Sequence, residues 1–179
     1  MELNKSQTWK NLETAFANET KAHVKYQFFA KKAKKEKLNI ISSIFQESAE
    51  NEKEHAKIWY KAMHNDDIPL TKENLLSAIS EENYETNIMY REFAKKAKEE
   101  GFDNIADLFN LIGDVEKHHS ERFQSLLKSL EENSLYESKD PVLWICTNCG
   151  HLHFGKIPPD LCPICIHPKA YFVRENKSF

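Results

Sequence analysis

The chain has almost no helix breakers before residue 135. Of its four glycines only Gly101 and Gly113 lie there, and of its six prolines only Pro69. That scarcity argues against a loop-rich first part and favours long helices. Long apolar runs are also missing: no 18-residue stretch could span a bilayer, and the opening MELNKSQTWK lacks the apolar core of a secretory leader. The sequence therefore predicts a soluble, cytoplasmic protein. Charge of one sign is lacking too, since a net charge of −3 gives no reason to invoke nucleic acid or an anionic membrane. Cysteine is absent until residue 146, where two Cys-x-x-Cys pairs begin, and in a cytosolic protein these favour metal over disulfide.

Four apolar stripes of helical period fill the long first part. The first runs over about 6–35 through Leu12, Phe16, Glu19, His23, Tyr26, Ala30 and Ala33. The second covers about 38–64 through Ile41, Phe45, Ser48, Glu52, His55, Trp59 and Ala62. The third starts near Lys72 and carries Leu75, Ala78, Glu82, Glu85, Met89 and Phe93. The fourth follows Gly101, with Gly101 expected as a C-cap and Asp103 as an N-cap, and carries Ile105, Leu108, Ile112, Glu116, His119 and Phe123. The two halves repeat: a shift of 64 lays Phe29–His55 on Phe93–His119 without a gap, with 12 of 27 positions identical. Tyr26 falls on Tyr90 under the same shift. A duplicated helical hairpin with a pseudo-two-fold axis is the expected result.

Glutamates and histidines occupy stripe positions where leucines belong. Glu52 and His55 form one Glu-x-x-His pair and Glu116 and His119 another, while Glu19, Glu82 and Glu85 sit on the other two stripes. Charged groups are seldom buried unless paired or bound to metal. One Glu-x-x-His in a Lys/Glu-rich helix is ordinarily a solvated surface pair. Two of them at a fixed offset, met by stripe carboxylates on both other helices, point instead to one dinuclear metal centre. Oxygen and nitrogen ligands suit iron or manganese better than structural zinc. Glu85 is surplus to the minimum set. Tyr26 and Tyr90 could hydrogen-bond the ligand carboxylates or simply fill the bundle core. His23, His64 and His118 read as surface or supporting groups.

The tail reads Trp144-Ile-Cys146-Thr-Asn-Cys149-Gly150, then Cys162-Pro-Ile-Cys165, with His151, His153 and His167 nearby. This spacing marks one tetrahedral thiolate site, which the four cysteines already fill. So short a segment needs metal to fold, around an expected core of Trp144, Phe154, Tyr171 and Phe172. The thiolates alone leave zinc and iron equally open.

Taken together, Glu19 through Tyr26, Glu52-Lys-Glu-His55, Glu82-Asn-Tyr-Glu85 through Met89-Tyr90, Glu116-Lys-His-His119 and the cysteine module resemble the rubrerythrin family over nearly the whole chain. The resemblance implies a mainly α fold, a ferritin-like four-helix bundle over 1–137 followed by a small rubredoxin-like metal-bound β/loop domain over 143–179. It implies that Glu19, Glu52, His55, Glu82, Glu85, Glu116 and His119 hold two non-haem irons, and that Cys146, Cys149, Cys162 and Cys165 hold a third. Glu85 and His55 would alternate on one iron, Glu85 when it is oxidised and His55 when it is reduced. Glu85, His55, Tyr26 and Tyr90 would then serve catalysis. The implied activity is reduction of hydrogen peroxide to water, with electrons from rubredoxin or an NAD(P)H-linked reductase. A ferroxidase or small iron store using the same ligands is the alternative, and a sensor carrying a zinc ribbon is another.

The sequence departs from the family pattern at four places. Ile166 stands where glycine is usual, so the second cysteine knuckle is expected to be altered. His151 follows Gly150 where an aromatic is common, and Arg91 replaces a frequent proline. The connection between the second and third helices, Met63 to Lys72, is shorter than in many relatives. It must climb on the order of 25 Å with a reach of about 33–36 Å when fully extended. A homodimer is expected, and one in which exchanged hairpins relieve that strain.

Overall fold

The structure is a computed structural model and describes residues 2–175; the outer limits of the expected domains, Met1 and residues 176–179, lie outside the described residues. The fold is mainly α, with four long helical stretches ahead of a small three-stranded antiparallel sheet. The chain divides into two compact units, one ending at Leu70 and one starting at Thr71. Among the described residues no helix is long and apolar enough to cross a membrane.

The first unit is a hairpin of α1 (Gln7–Lys35) and α2 (Asn39–Met63). Ser6 starts it, its Oγ accepting a hydrogen bond from the Trp9 backbone N–H at 3.1 Å, which satisfies one of the open donors of the first turn. The seam between the helices is made of small side chains: Ala30, Ala33, Ser42, Ala49 and Ala56 are all buried. Ser42 Oγ donates to the Ala30 carbonyl across it at 2.9 Å. Small residues let the two backbones approach closely. The turn is a Schellman motif, with Lys37 at φ 62°, Lys37 N bonded to Lys34 O and Leu38 N to Ala33 O.

The second unit opens with the duplicate hairpin. Its first arm is α3 (Thr71–Tyr84), a π-helical turn (Glu85–Met89) and α4 (Tyr90–Glu99); its second arm is α5 (Asp103–Glu131). The Schellman turn recurs 64 residues on, with Gly101 at φ 84°, Gly101 N bonded to Lys98 O and Phe102 N to Ala97 O. The C-cap is Glu100 and Gly101 is the left-handed residue after it. Asp103 does not cap α5: Phe102 holds that position without a side-chain bond, and Asp103 is the first helical residue. Its charge still favours the helix there, by opposing the dipole. The aromatic packing repeats as well. Tyr26, Phe29 and Phe45 have ring centroids 5.5–6.2 Å apart, and Tyr90, Phe93 and Phe109 match them at 5.6–6.4 Å.

The expectation of one uninterrupted third helix is corrected by the π turn. Glycine costs about 1 kcal/mol inside a helix relative to alanine, yet Gly113 lies in mid-α5. A Cβ there would stand 3.2 Å from the Tyr90 Cβ. Ala49 holds the equivalent place in the first hairpin, where no π turn faces it.

The sheet has the order β2–β1–β3, with β1 Val142–Cys146, β2 Leu152–Gly155 and β3 Phe172–Arg174. Its core is Trp144 and Phe172 with Cys146 and Cys162. Phe154 and Tyr171, expected in that core, lie outside it, Phe154 at 70% exposure and Tyr171 at 40%. Strand alternation is the reason: Phe154 pairs with Leu143, one residue out of phase with the inward Trp144 and its partner His153. Trp144 Nε1 donates to the Gly155 carbonyl at 2.9 Å.

The two equivalent turns give a direct test. A non-glycine residue held left-handed costs roughly 1–2 kcal/mol, so Lys37→Gly should stabilise the protein by about 0.5–1 kcal/mol and Gly101→Ala should destabilise it by a similar amount. Urea denaturation followed by helical circular dichroism measures both; effects of the same sign would show that the turns are not equivalent.

Candidate metal centres

In the first hairpin, Glu19 of α1 meets Glu52 and His55 of α2, one ligand atom from each lying within 4.8 Å of the others. Glu52 and His55 are one helical turn apart, so both project to one face, and His55 Nδ1 is 2.9 Å from Glu52 Oε2. Glu19 and Glu52 are half-buried and His55 is exposed.

The second hairpin repeats the arrangement. Glu82 meets Glu116 and His119 within the same limit, with His119 Nδ1 at 2.7 Å from Glu116 Oε2 and 3.6 Å from Glu82 Oε1. Burial pushes the Glu82 carboxyl above its ordinary range, and the neighbouring Glu116 charge and hydrogen bond push it further. Glu85 is raised in the same way, by burial and then by Glu116 and Glu81. The Tyr90 hydroxyl is raised by burial and by Glu85, Glu116 and Glu82, which places it in the field of all three carboxylates. Such crowding of half-buried like charges is unfavourable without a counter-charge, and divalent cations are the ordinary source of one.

Six of the seven expected di-iron ligands thus fall into two triads. Glu85 stands outside them, on the π turn beside Glu116. That turn has a readable origin. Glu19 to Tyr26 is seven residues, whereas Glu82 to Tyr90 is eight. One residue has been inserted between ligand and tyrosine, and the helix absorbs it by widening to i→i+5 bonding. The offset changing from 63 to 64 was the signal in the sequence. It distinguishes the hairpins chemically, since the π turn carries a carboxylate that the first hairpin lacks.

The four cysteines converge. Cys146 Sγ is 3.7 Å from Cys165 Sγ and Cys149 Sγ is 3.6 Å from Cys162 Sγ. A metal bonded at about 2.3 Å to four tetrahedral sulfurs sets them about 3.8 Å apart, whereas a disulfide needs about 2.0 Å. The site is therefore shaped for an ion. A backbone N–H from His167 draws the Cys165 thiol down to about 5. His151 offers the same bond to Cys149, but burial and the other three sulfurs push that thiol up to about 12. The protons are shared unequally around a space that a metal would occupy in their place. The second knuckle is not altered, contrary to expectation. Ile166 takes φ 60° and its N–H reaches Cys162 O at 2.9 Å, as Gly150 at φ 75° reaches Cys146 O at 2.8 Å. A β-branched residue there is strained.

The other candidates take supporting places. Tyr26 packs in the aromatic cluster of the first hairpin, equivalent to Tyr90. His23 Nδ1 lies 2.7 Å from the Ala49 carbonyl, and His64 stacks on Tyr60. His118 is exposed. His153 and His167 contact the Ile157 and Cys165 carbonyls, and His151 meets Phe172 edge-on.

Comparison with known proteins agrees with this layout. A family model described as Rubrerythrin matches residues 10–127 and 73–141, and one described as the rubredoxin-like domain of rubrerythrin matches residues 144–173. Rubrerythrin-1 of Clostridium acetobutylicum is 42% identical over 185 residues, which cover 95% of each chain. A putative rubrerythrin of Methanocaldococcus jannaschii is 42% identical over 190 residues, 95% of this chain and 93% of that one. Rubrerythrin of Nitratidesulfovibrio vulgaris is 38% identical over 181 residues, 95% of each.

The raised carboxyls set a pH dependence for the metal-free protein. A carboxyl raised on folding destabilises fully above its raised value, and the penalty is relieved as pH falls through that value towards the ordinary one. Metal-free protein should therefore gain stability on mild acidification from neutrality. Glu82→Gln should raise its neutral-pH thermal midpoint by a few degrees, flatten that dependence and reduce iron loading. A lower midpoint in chelated Glu82→Gln would show that Glu82 is not under the strain described.

Proposed function

The chain belongs to the rubrerythrin family, oxidoreductases that join a carboxylate/histidine di-iron site to a rubredoxin-like Fe(Cys)4 site, and on that premise we propose that it is a peroxidase reducing hydrogen peroxide to water. Residues 1–137 would form the peroxide-reducing module and residues 143–179 the electron-receiving one. Electrons would enter the Fe(Cys)4 centre from rubredoxin or an NAD(P)H-linked reductase, in the cytoplasm, in a protein that acts as a homodimer.

The ligands proposed are Glu19, Glu52, His55, Glu82, Glu85, Glu116 and His119 for two irons, and Cys146, Cys149, Cys162 and Cys165 for one. Iron held by the first set would supply one electron per ion, and hydrogen peroxide with two electrons and two protons gives two waters. Around that chemistry the protein's own groups have separate tasks. The Glu82 and Glu116 carboxylates would hold the cations and neutralise their charge. Glu85 and His55 are the exchangeable pair, and the widened π turn gives the Glu85 arm backbone freedom that an α-helical turn would deny it. Tyr90, in the field of Glu85, Glu116 and Glu82, orients carboxylates through its hydroxyl, and Tyr26 takes the equivalent place by the repeat.

The observation that carries this reading is the presence of both triads and a four-sulfur site in one chain. An iron store using the same ligands would have no use for an attached electron-transfer module. Steady-state oxidation of NAD(P)H by peroxide, with a rubredoxin reductase present, tests it. Glu85→Ala should keep two irons at the carboxylate site and lose roughly tenfold or more in rate, equivalent to about 1.4 kcal/mol at the barrier. An unimpaired rate in that variant would contradict the role given to Glu85. Absence of peroxide turnover in the iron-loaded parent would contradict the peroxidase itself.

A further inference from the structure

We propose that Arg91 is a positioning residue for Glu85, a strut from the end of the π turn to α5 that fixes where the turn and its carboxylate sit. The proposal rests on the role given to Glu85 above and adds the group that sets its place.

Arg91 follows the π turn (Glu85–Met89) directly after Tyr90. Its guanidinium forks onto α5. Nη1 donates to Asn110 Oδ1 at 3.0 Å and to the Asn110 carbonyl at 3.5 Å, and Nη2 donates to Asp114 Oδ1 at 2.5 Å. Gly113 lies between these acceptors. A Cβ there would stand 3.6 Å from the guanidinium carbon and 3.2 Å from the Tyr90 Cβ, so the missing side chain lets both residues lie against α5. An ion pair between exposed side chains ordinarily contributes little. This one joins two helical arms rather than neighbours on one helix, and its planar fork engages two acceptor residues at once.

The internal repeat supplies a control within the same chain. Under the shift of 64, Arg91 corresponds to Gln27, Asn110 to Gln46, Gly113 to Ala49 and Asp114 to Glu50. In the first hairpin Gln27 bonds the His23 ring at 3.2 Å and Glu50 pairs with Lys53 at 2.9 Å, each along its own helix. Gln27, Gln46, Ala49 and Glu50 line an open groove there. Arg91 occupies the corresponding place in the hairpin that carries the π turn.

The link to Glu85 runs through the backbone. The bond that closes the π turn goes from the Tyr90 N–H to the Glu85 carbonyl. Holding Arg91 to α5 therefore holds the donor beside it, and with that donor the backbone of Glu85. Ahead of the turn, Asn83 Oδ1 accepts from Ser120 Oγ of α5 at 2.8 Å. Between these two ties Thr86 is buried, yet its hydroxyl has no hydrogen-bond partner among the described residues. A buried hydroxyl without a partner is unfavourable, so side chains at the two ends hold the turn rather than bonding at its middle. Without the tie at Arg91 the turn can drift and spread Glu85 over positions away from Glu116. A displacement of about 1 Å in a working group can cost on the order of 100-fold in rate.

Two measurements on the full chain test the strut. In metal-free protein, amide hydrogen exchange over residues 84–92 reads the hold on the turn, with residues 21–28 of the first hairpin as internal reference. Arg91→Met keeps a stem over Gly113 and removes the donors. It should speed exchange over 84–92 by roughly tenfold and leave 21–28 unchanged. Arg91→Lys keeps a charge for Asp114 without the fork and should fall between the two. Unchanged exchange in Arg91→Met would overturn the strut. An equal rise over all of α3, α4 and α5 would overturn it too, by showing that Arg91 only stabilises the hairpin. In iron-loaded protein, Arg91→Met should lower kcat for hydrogen peroxide by roughly fivefold with KM unchanged. In a Glu85→Ala chain it should lower kcat no further, because residues that act through one another are not additive. Full additivity would overturn action through Glu85. An unimpaired Glu85→Ala chain would remove the role of Glu85 and the proposal with it. That outcome is told apart from failure of the strut by the exchange measurement, which needs no iron.

Discussion

Half-buried carboxylates set on apolar helix stripes are the constraint that the helical part of this protein is arranged around. Glu82, Glu85 and Glu116 lie together midway along one hairpin, where burial and neighbours of like charge raise the carboxyls of the first two. Among the described residues no lysine or arginine forms an ion pair with these three; the basic group paired there is His119, with Glu82 and Glu116. Hydrophobic burial draws these helices together and charge repulsion opposes it. A pair of iron ions reverses the sign of the second effect, so that metal binding and helix packing support each other.

Duplication solves the building problem with one design used twice. Both hairpins turn through a Schellman motif at equivalent residues, both close over small side chains, and both fix the ligand face with a tyrosine and two phenylalanines at matching separations. The single inserted residue breaks the symmetry. It widens one helix into a π turn, forces Gly113 opposite Tyr90, and puts Glu85 where the first hairpin has no acid.

Most of this was legible in the residues because the signals were periodic. Stripe positions gave the helices, the shift of 64 gave the hairpins, and the cysteine spacing gave the thiolate site. What escaped was set by local geometry that no period records. Asp103 looked like a cap, but the chain enters α5 through the Schellman turn and leaves Phe102 in that position. Phe154 looked like core, but the strand register turns it outward. Ile166 looked disruptive, yet its backbone repeats the bond made by Gly150, because the hydrogen bonding around four converging sulfurs outweighs the strain of one left-handed residue. The π turn was written in the sequence as a change of offset, but a stripe read at a constant 3.6-residue period passes over it.

The thiolate module is arranged on a smaller scale for the same end, with four sulfurs at the spacing of a tetrahedral ion and a backbone N–H directed at one of them. The account as a whole requires that the carboxylates on the helix stripes be a cost to the metal-free fold and an asset to the loaded one. Thermal unfolding of the helices, followed by far-ultraviolet circular dichroism on chelated and iron-loaded protein, measures that directly. Loading should raise the helical midpoint, since an ion held at 100 times its dissociation constant adds about 2.7 kcal/mol. A helical midpoint unchanged by iron would mean that the carboxylates are not there to hold it.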